Sequence, residues 1–202
     1  MEMFDHVAIV CDTSSKDVGE AVRAALELFR VHVYFHWCVQ KRNVADALEG
    51  RIPETDYTVL CAHGLGSSDA PAARPQQMGM GFHVVDNQDG RWEEIEFALT
   101  PGNIADAVRL PGRRVLALGC GNGREPLARA FLDAGCASYM GPIDSVDQDS
   151  TAMFAISFFY HLLMHERDDS LSLGEREAFE RARAFDTASA EGTHLFRRYC
   201  AD

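Results

Sequence analysis

Short apolar runs alternate with amphipathic stretches from the beginning of the chain, and few architectures accommodate that order. His6 to Asp12 reads as a strand ending in Asp12-Thr13-Ser14-Ser15, residue types that favour the start of a helix. Asp17 to Arg30 then sets Val18, Val22, Ala25, Leu26 and Phe29 on one helical face. Val31 to Val39 is dense in β-branched and aromatic residues and predicts a second strand. A short helix around Val44 to Leu48 precedes a third strand, Tyr57 to Ala62. Strands separated by helices pair in parallel, because a parallel pair needs a long crossover. The pattern therefore predicts an α/β fold, a mostly parallel sheet of about five or six strands with helices on both faces.

The middle of the chain breaks the alternation. Ser67 to Gly81, rich in Gly, Pro, Ser and Ala, reads as an exposed loop. Phe82 to Val85 and Trp92 to Phe97 flank Asn87-Gln88-Asp89-Gly90, which predicts an inserted β-hairpin near the sheet edge or over the site. Thr100-Pro101 predicts a helix reaching Leu110, with Thr at the N-cap and Pro in the first turn. Arg114 to Leu118 reads as the fourth sheet strand. A helix from Glu125 to Ala134, a strand from Ala137 to Ile143 and a long apolar helix from Ser150 to His165 follow. A polar break at Arg167 to Ser172 precedes a last amphipathic helix with Phe179, Ala182 and Phe185 on one face. No repeat or linker interrupts residues 1–202, so a single domain is expected.

Composition narrows the function classes. A net charge of −12 argues against nucleic acid, whose phosphates require clustered Lys and Arg. No apolar run approaches the roughly 20 residues of a membrane span, and no leader pattern is visible, so a cytoplasmic location is expected. The six cysteines contain no Cys-x-x-Cys pair and no zinc-ligand spacing, and most fall within apolar runs. Most of them read as small buried hydrophobes. His161 and His165 stand four apart on a helix, but no acidic third ligand accompanies them, so no metal and no cofactor is expected.

Two strand ends remain as places for chemistry. The third strand runs into His63-Gly64, and the fourth into Gly119-Cys120-Gly121-Asn122-Gly123. In open parallel sheets functional groups gather at the carboxyl ends of strands, so the two would face one crevice if their strands are neighbours. A cysteine nucleophile needs such a partner: the imidazole favours the thiolate and later protonates the leaving group. Glycines beside both residues let backbone approach a substrate and leave N–H groups for an oxyanion.

These elements resemble the caspase-like cysteine peptidases, which include caspases, clostripain, gingipains, separases and bacterial CHAT domains. The carriers are an apolar strand ending in His63-Gly64, a hairpin-and-helix insertion, and an apolar strand ending in Cys120. Beyond them come Phe131-Leu132-Asp133-Ala134-Gly135-Cys136-Ala137, similar to a helix end of CHAT-like members, and the block Val146 to Leu163. The 57-residue interval from His63 to Cys120 is near the value of about 50 for caspases. The resemblance implies a three-layer sandwich and a cysteine endopeptidase. His63 would be the general acid and base and Cys120 the nucleophile, with backbone N–H groups of Gly64, Gly121 and Cys120 itself at the oxyanion. Asp12 would hold a basic substrate side chain, a role its reading as a helix cap equally explains. Leu118 stands where Arg-specific members often carry an acid, which leaves specificity open. The partners implied are a peptide or protein substrate, with no nucleic acid and no membrane, and a homodimer is left open.

Two other readings compete. One is a caspase-like module without catalysis. The other is an S-adenosylmethionine-dependent methyltransferase, because Val115 to Gly123 looks like that family's glycine-rich first motif. Ala117 replaces the motif's usual acid, and the motif starts late in the chain.

Overall fold

The computed structural model describes residues 6–65, 78–166 and 173–201. Strands β1 (His6–Cys11), β2 (His32–Trp37), β3 (Tyr57–Cys61), β7 (Arg114–Ala117), β8 (Ser138–Pro142) and β9 (Phe196–Cys200) form one six-stranded sheet in the order β2-β1-β3-β7-β8-β9. All pairings are parallel except β8 with β9. A second, three-stranded antiparallel sheet joins β4 (His63–Leu65), β5 (Gly79–Gln88) and β6 (Arg91–Leu99). This is the α/β architecture the sequence predicts, a mostly parallel sheet between helical layers, with the hairpin inserted between β3 and β7.

Period-2 alternation along the central strands builds two cores. Val7, Ile9 and Cys11 of β1 and Val59 of β3 face helices α1 (Lys16–Leu28), α5 (Gln148–Glu166) and α6 (Glu175–Arg183). Val10, Leu60, Val115 and Ala117 face the other way, onto α2 (Lys41–Leu48), α3 (Ile104–Ala107), α4 (Glu125–Asp133) and the hairpin residues Met80 and Phe82. Strands covered on both faces are apolar at nearly every position, which is why β1 and β3 read as continuous runs.

The sequence reading departs from the structure in four places. The helix expected from Thr100 to Leu110 is a single turn, Ile104–Ala107. Asn103 accepts the Thr100 N–H at 2.8 Å and donates to Ala98, closing a turn before the helix begins, and Arg109 N–H leaves the helix for Leu48 O at 2.7 Å. The loop expected up to Gly81 ends earlier, since Gly79 already pairs with Leu65 and strand β5 starts there. Strand β9 was unforeseen: Arg197 and Arg198 hide it in composition, yet it covers the free edge of β8. Phe185, expected on the face of the last helix, falls beyond it and is exposed. The remainder of the expected loop and the break at 167–172 lie outside the described residues.

Candidate functional site

Chain order within the sheet decides where the site falls. From β1 the chain moves to β2 on one side, while β3 lies on the other, so a crevice opens at the carboxyl ends of β1, β3 and β7. Strand β3 pairs directly with β7, from Tyr57 opposite Arg114 to Leu60 opposite Ala117. The segments after these strands therefore emerge side by side. His63 and Cys120 line one cavity of about 180 Å³ together with Ser14, Ser15, Val18, Leu118 and Val146.

The two segments touch through backbone. A Cβ placed on Gly64 would lie 1.5 Å from Cys120 O, and one on Gly119 would lie 2.0 Å from Ala62 O. Only glycine permits this approach at either position, and the approach holds the histidine and cysteine segments together.

Cys120 is the one exposed cysteine of the six; Cys200 is half-buried and the others are buried. Its sulfur sits against the Val146 peptide, 3.5 Å from N and 3.6 Å from O. A thiol donates to that carbonyl, and a thiolate accepts from that N–H. Burial pushes Cys11, Cys38 and Cys136 up to about 12, the Asp12 charge adding to the rise at Cys11. Burial raises Cys61 as well. These four thiols are held in their inert, protonated form.

His63 is exposed at the start of β4, and its Nε2 lies 2.8 Å from Ser14 Oγ. The His83 ring of β5 stands beside it, centroids 4.9 Å apart, and His83 Nε2 is 3.6 Å from Glu96. Neither Ser14 nor His83 stands out in the sequence. Asp12-Thr13-Ser14-Ser15 reads as a helix start, and α1 does begin at Lys16, yet Ser15 makes no side-chain cap bond. Its hydroxyl reaches Asp12 at 2.6 Å and Cys61 O at 2.5 Å instead.

Two expected roles change. Asp12 is fully buried and does not line the cavity. Its Oδ1 accepts from the backbone and hydroxyl of Ser14 and of Ser15, and its Oδ2 accepts from His83 N–H at 2.7 Å. Buried there, the carboxylate faces its own loop and the small sheet and not the cavity. Burial pulls its carboxyl upward, but the hydrogen bonds from Ser15, His83 and Ser14 outweigh that and leave it below the usual range. Gly121 N–H, expected at the oxyanion, is donated to Asp144 O at 3.0 Å. The next three N–H groups are likewise held, Asn122 by Gly119 O, Gly123 by Pro142 O and Arg124 by Gly121 O. Among the described residues no acceptor takes the Cys120 N–H. Among the same residues no cluster of His, Cys, Asp or Glu suited to a metal ion is found, and no helix is long and apolar enough to cross a membrane.

No family model and no curated protein sequence matches the chain. Solved structures do. The Saccharomyces cerevisiae separase–securin complex at 2.6 Å aligns over 100% of this chain with a TM-score of 0.60 and 10% identity. A second structure of that complex, at 3.0 Å, aligns over 98% with a TM-score of 0.55 and 11% identity. The chain spans 12% of the length of the separase chains it matches. At this identity the likeness shows the fold, and the fold is caspase-like.

Proposed function

We propose that the chain is a cysteine endopeptidase in which Cys120 is the nucleophile and His63 the general acid and base. The observation that carries this reading is the meeting of one exposed thiol and one exposed imidazole in a single cavity at the ends of paired strands. His63 takes the Cys120 proton and the thiolate attacks the scissile carbonyl carbon. The oxyanion so formed is held by the Cys120 N–H and by the backbone at Gly64. The C–N bond then breaks as His63 gives its proton to the leaving amine. Water, deprotonated by His63, adds to the thioester, and the thiol leaves with the proton. No metal or cofactor enters this cycle. The separase likeness favours a protein substrate, and the partner in those structures is itself a protein.

A positional-scanning peptide library tests the reading on wild type, Cys120→Ala and His63→Ala. Wild type is expected to cleave, and each variant to lose activity by roughly a thousandfold or more. If wild type cleaves nothing, or Cys120→Ala cleaves equally well, the peptidase reading fails and a non-catalytic caspase-like module replaces it.

A further inference from the structure

We infer that Ser14 is a positioning residue for His63: braced by the buried Asp12 carboxylate, it accepts the Nε2 proton and leaves Nδ1 as the nitrogen that exchanges protons. The role assigned to Nδ1 rests on the peptidase reading above; the hydrogen-bond assignment does not. Ser14 Oγ lies 2.8 Å from Asp12 Oδ1 and 2.8 Å from His63 Nε2. A hydroxyl has one hydrogen to give and lone pairs to receive with. Asp12 accepts five hydrogen bonds and is held below the ordinary carboxyl range, so it is ionised near neutrality and carries no proton. The Ser14 hydrogen therefore points to Asp12, and the hydrogen between Ser14 and His63 belongs to Nε2.

The consequence for proton transfer follows from the two ring nitrogens. In the neutral imidazole Nε2 carries the proton, so Nδ1 has the free lone pair. When the ring is cationic, Nε2–H still donates to Ser14, and only the Nδ1 proton is free to leave. Asp12 gains no proton at any stage. It orients a hydroxyl, which orients a ring, much as a buried carboxylate orients the histidine of a catalytic triad. Other charged or titratable groups face His63 from the remaining elements: His83 of β5, Glu96 of β6 through His83, and Cys120 across the cavity. None of them is bonded to Nε2.

The brace also ties Ser14 to the rest of the fold. Asp12 Oδ2 accepts the His83 N–H of the small sheet, and the Ser15 hydroxyl, its one hydrogen shared between Asp12 Oδ1 and Cys61 O, reaches the end of β3. Ser14 is thereby fixed from β1, β3 and β5 together, and the ring it holds inherits that rigidity.

Nitrogen-15 NMR of histidine side chains in the 202-residue chain tests the assignment without requiring activity. Near neutral pH, wild type is expected to show a protected Nε2–H resonance that disappears in His63→Ala, which assigns it. Ser14→Ala should lose that resonance to solvent exchange with its fold retained by circular dichroism, and Ser14→Thr should restore it. Where peptide cleavage is measurable, Ser14→Ala should lower kcat roughly ten- to a hundredfold with little change in KM, and Ser14→Thr should recover most of it. An Nδ1–H tautomer in wild type, or an Nε2–H that stays protected in Ser14→Ala, overturns the inference whether or not the protein cleaves peptides. A protected Nε2–H that vanishes in Ser14→Ala upholds it even if no peptide is cut, in which case the peptidase reading alone fails.

Discussion

Chemical inequality among the six cysteines is the sharpest distinction at the scale of single residues. A thiol raised to about 12, as Cys11, Cys38 and Cys136 are, offers roughly one thiolate in 10⁵ at pH 7. Brief iodoacetamide treatment of the folded protein at neutral pH should therefore modify Cys120 first, and peptide mapping reads the order. Preferential labelling of a strand cysteine would remove Cys120 as nucleophile. Gly64 is the second singular residue. Because its Cβ would lie 1.5 Å from Cys120 O, Gly64→Ala must displace backbone. Unfolding in urea should show a loss of about 1–3 kcal/mol or more, and Cys120 labelling should slow as its segment shifts. That His63 and Cys120 would meet was legible because each follows an apolar run and stands beside glycine at the end of neighbouring strands. Ser14 was not, because a serine before a helix has a commonplace capping explanation and its real partner lies 49 residues away.

At the scale of elements, α5 shows how a helix can be recognised while its partners stay hidden. Its apolar run predicts a buried helix, and Phe154, Phe158 and Phe159 are fully buried. The sequence gives no hint that Phe154 stacks on Phe196 of β9, centroids 3.7 Å apart and rings within 5° of parallel. Strand β9 is short, carries two arginines, and is held in place by pairing with β8. Propensity cannot reveal an element whose stability is tertiary. Phe154→Ala removes both the aromatic stack and the core contacts and should cost about 3–5 kcal/mol in denaturant unfolding. Glu175 makes a comparable join at the opposite end of the sheet. It accepts from Tyr57 at 2.9 Å and pairs with Arg114 at 2.9 Å and Arg198 at 2.6 Å, connecting α6 to three strands. Since Arg114 is well exposed, Glu175→Ala is expected to cost a modest ~2 kcal/mol, read from the urea midpoint at unchanged slope.

For the whole molecule, Asp12 makes stability depend on acid. A carboxyl whose pKa is depressed by folding contributes stability that is complete above its unfolded value, near 3.9, and is lost as pH falls through the lower folded value. Urea unfolding measured from pH 7 down to pH 3 should therefore show stability falling below about pH 4. Asp12→Asn should be less stable at pH 7 and lose less on acidification. An unchanged acid slope in Asp12→Asn would show that the carboxylate is not what holds the sheets together there. The parallel sheet and its two helical layers were legible from periodicity, which averages over many residues. The clip between the two sheets was not, because it depends on one carboxylate and a backbone N–H 71 positions away.

The contact between Cys120 sulfur and the Val146 peptide has a consequence for how the protein is made. Ribosomes deliver the chain from its N-terminus, so His63 and Cys120 leave the exit tunnel before Val146 and the strand that precedes it. A nascent chain halted near residue 130 owns a histidine and a thiol but no wall behind the sulfur and no edge for β7 to complete. The surroundings of that sulfur are thus complete only once synthesis has passed Val146.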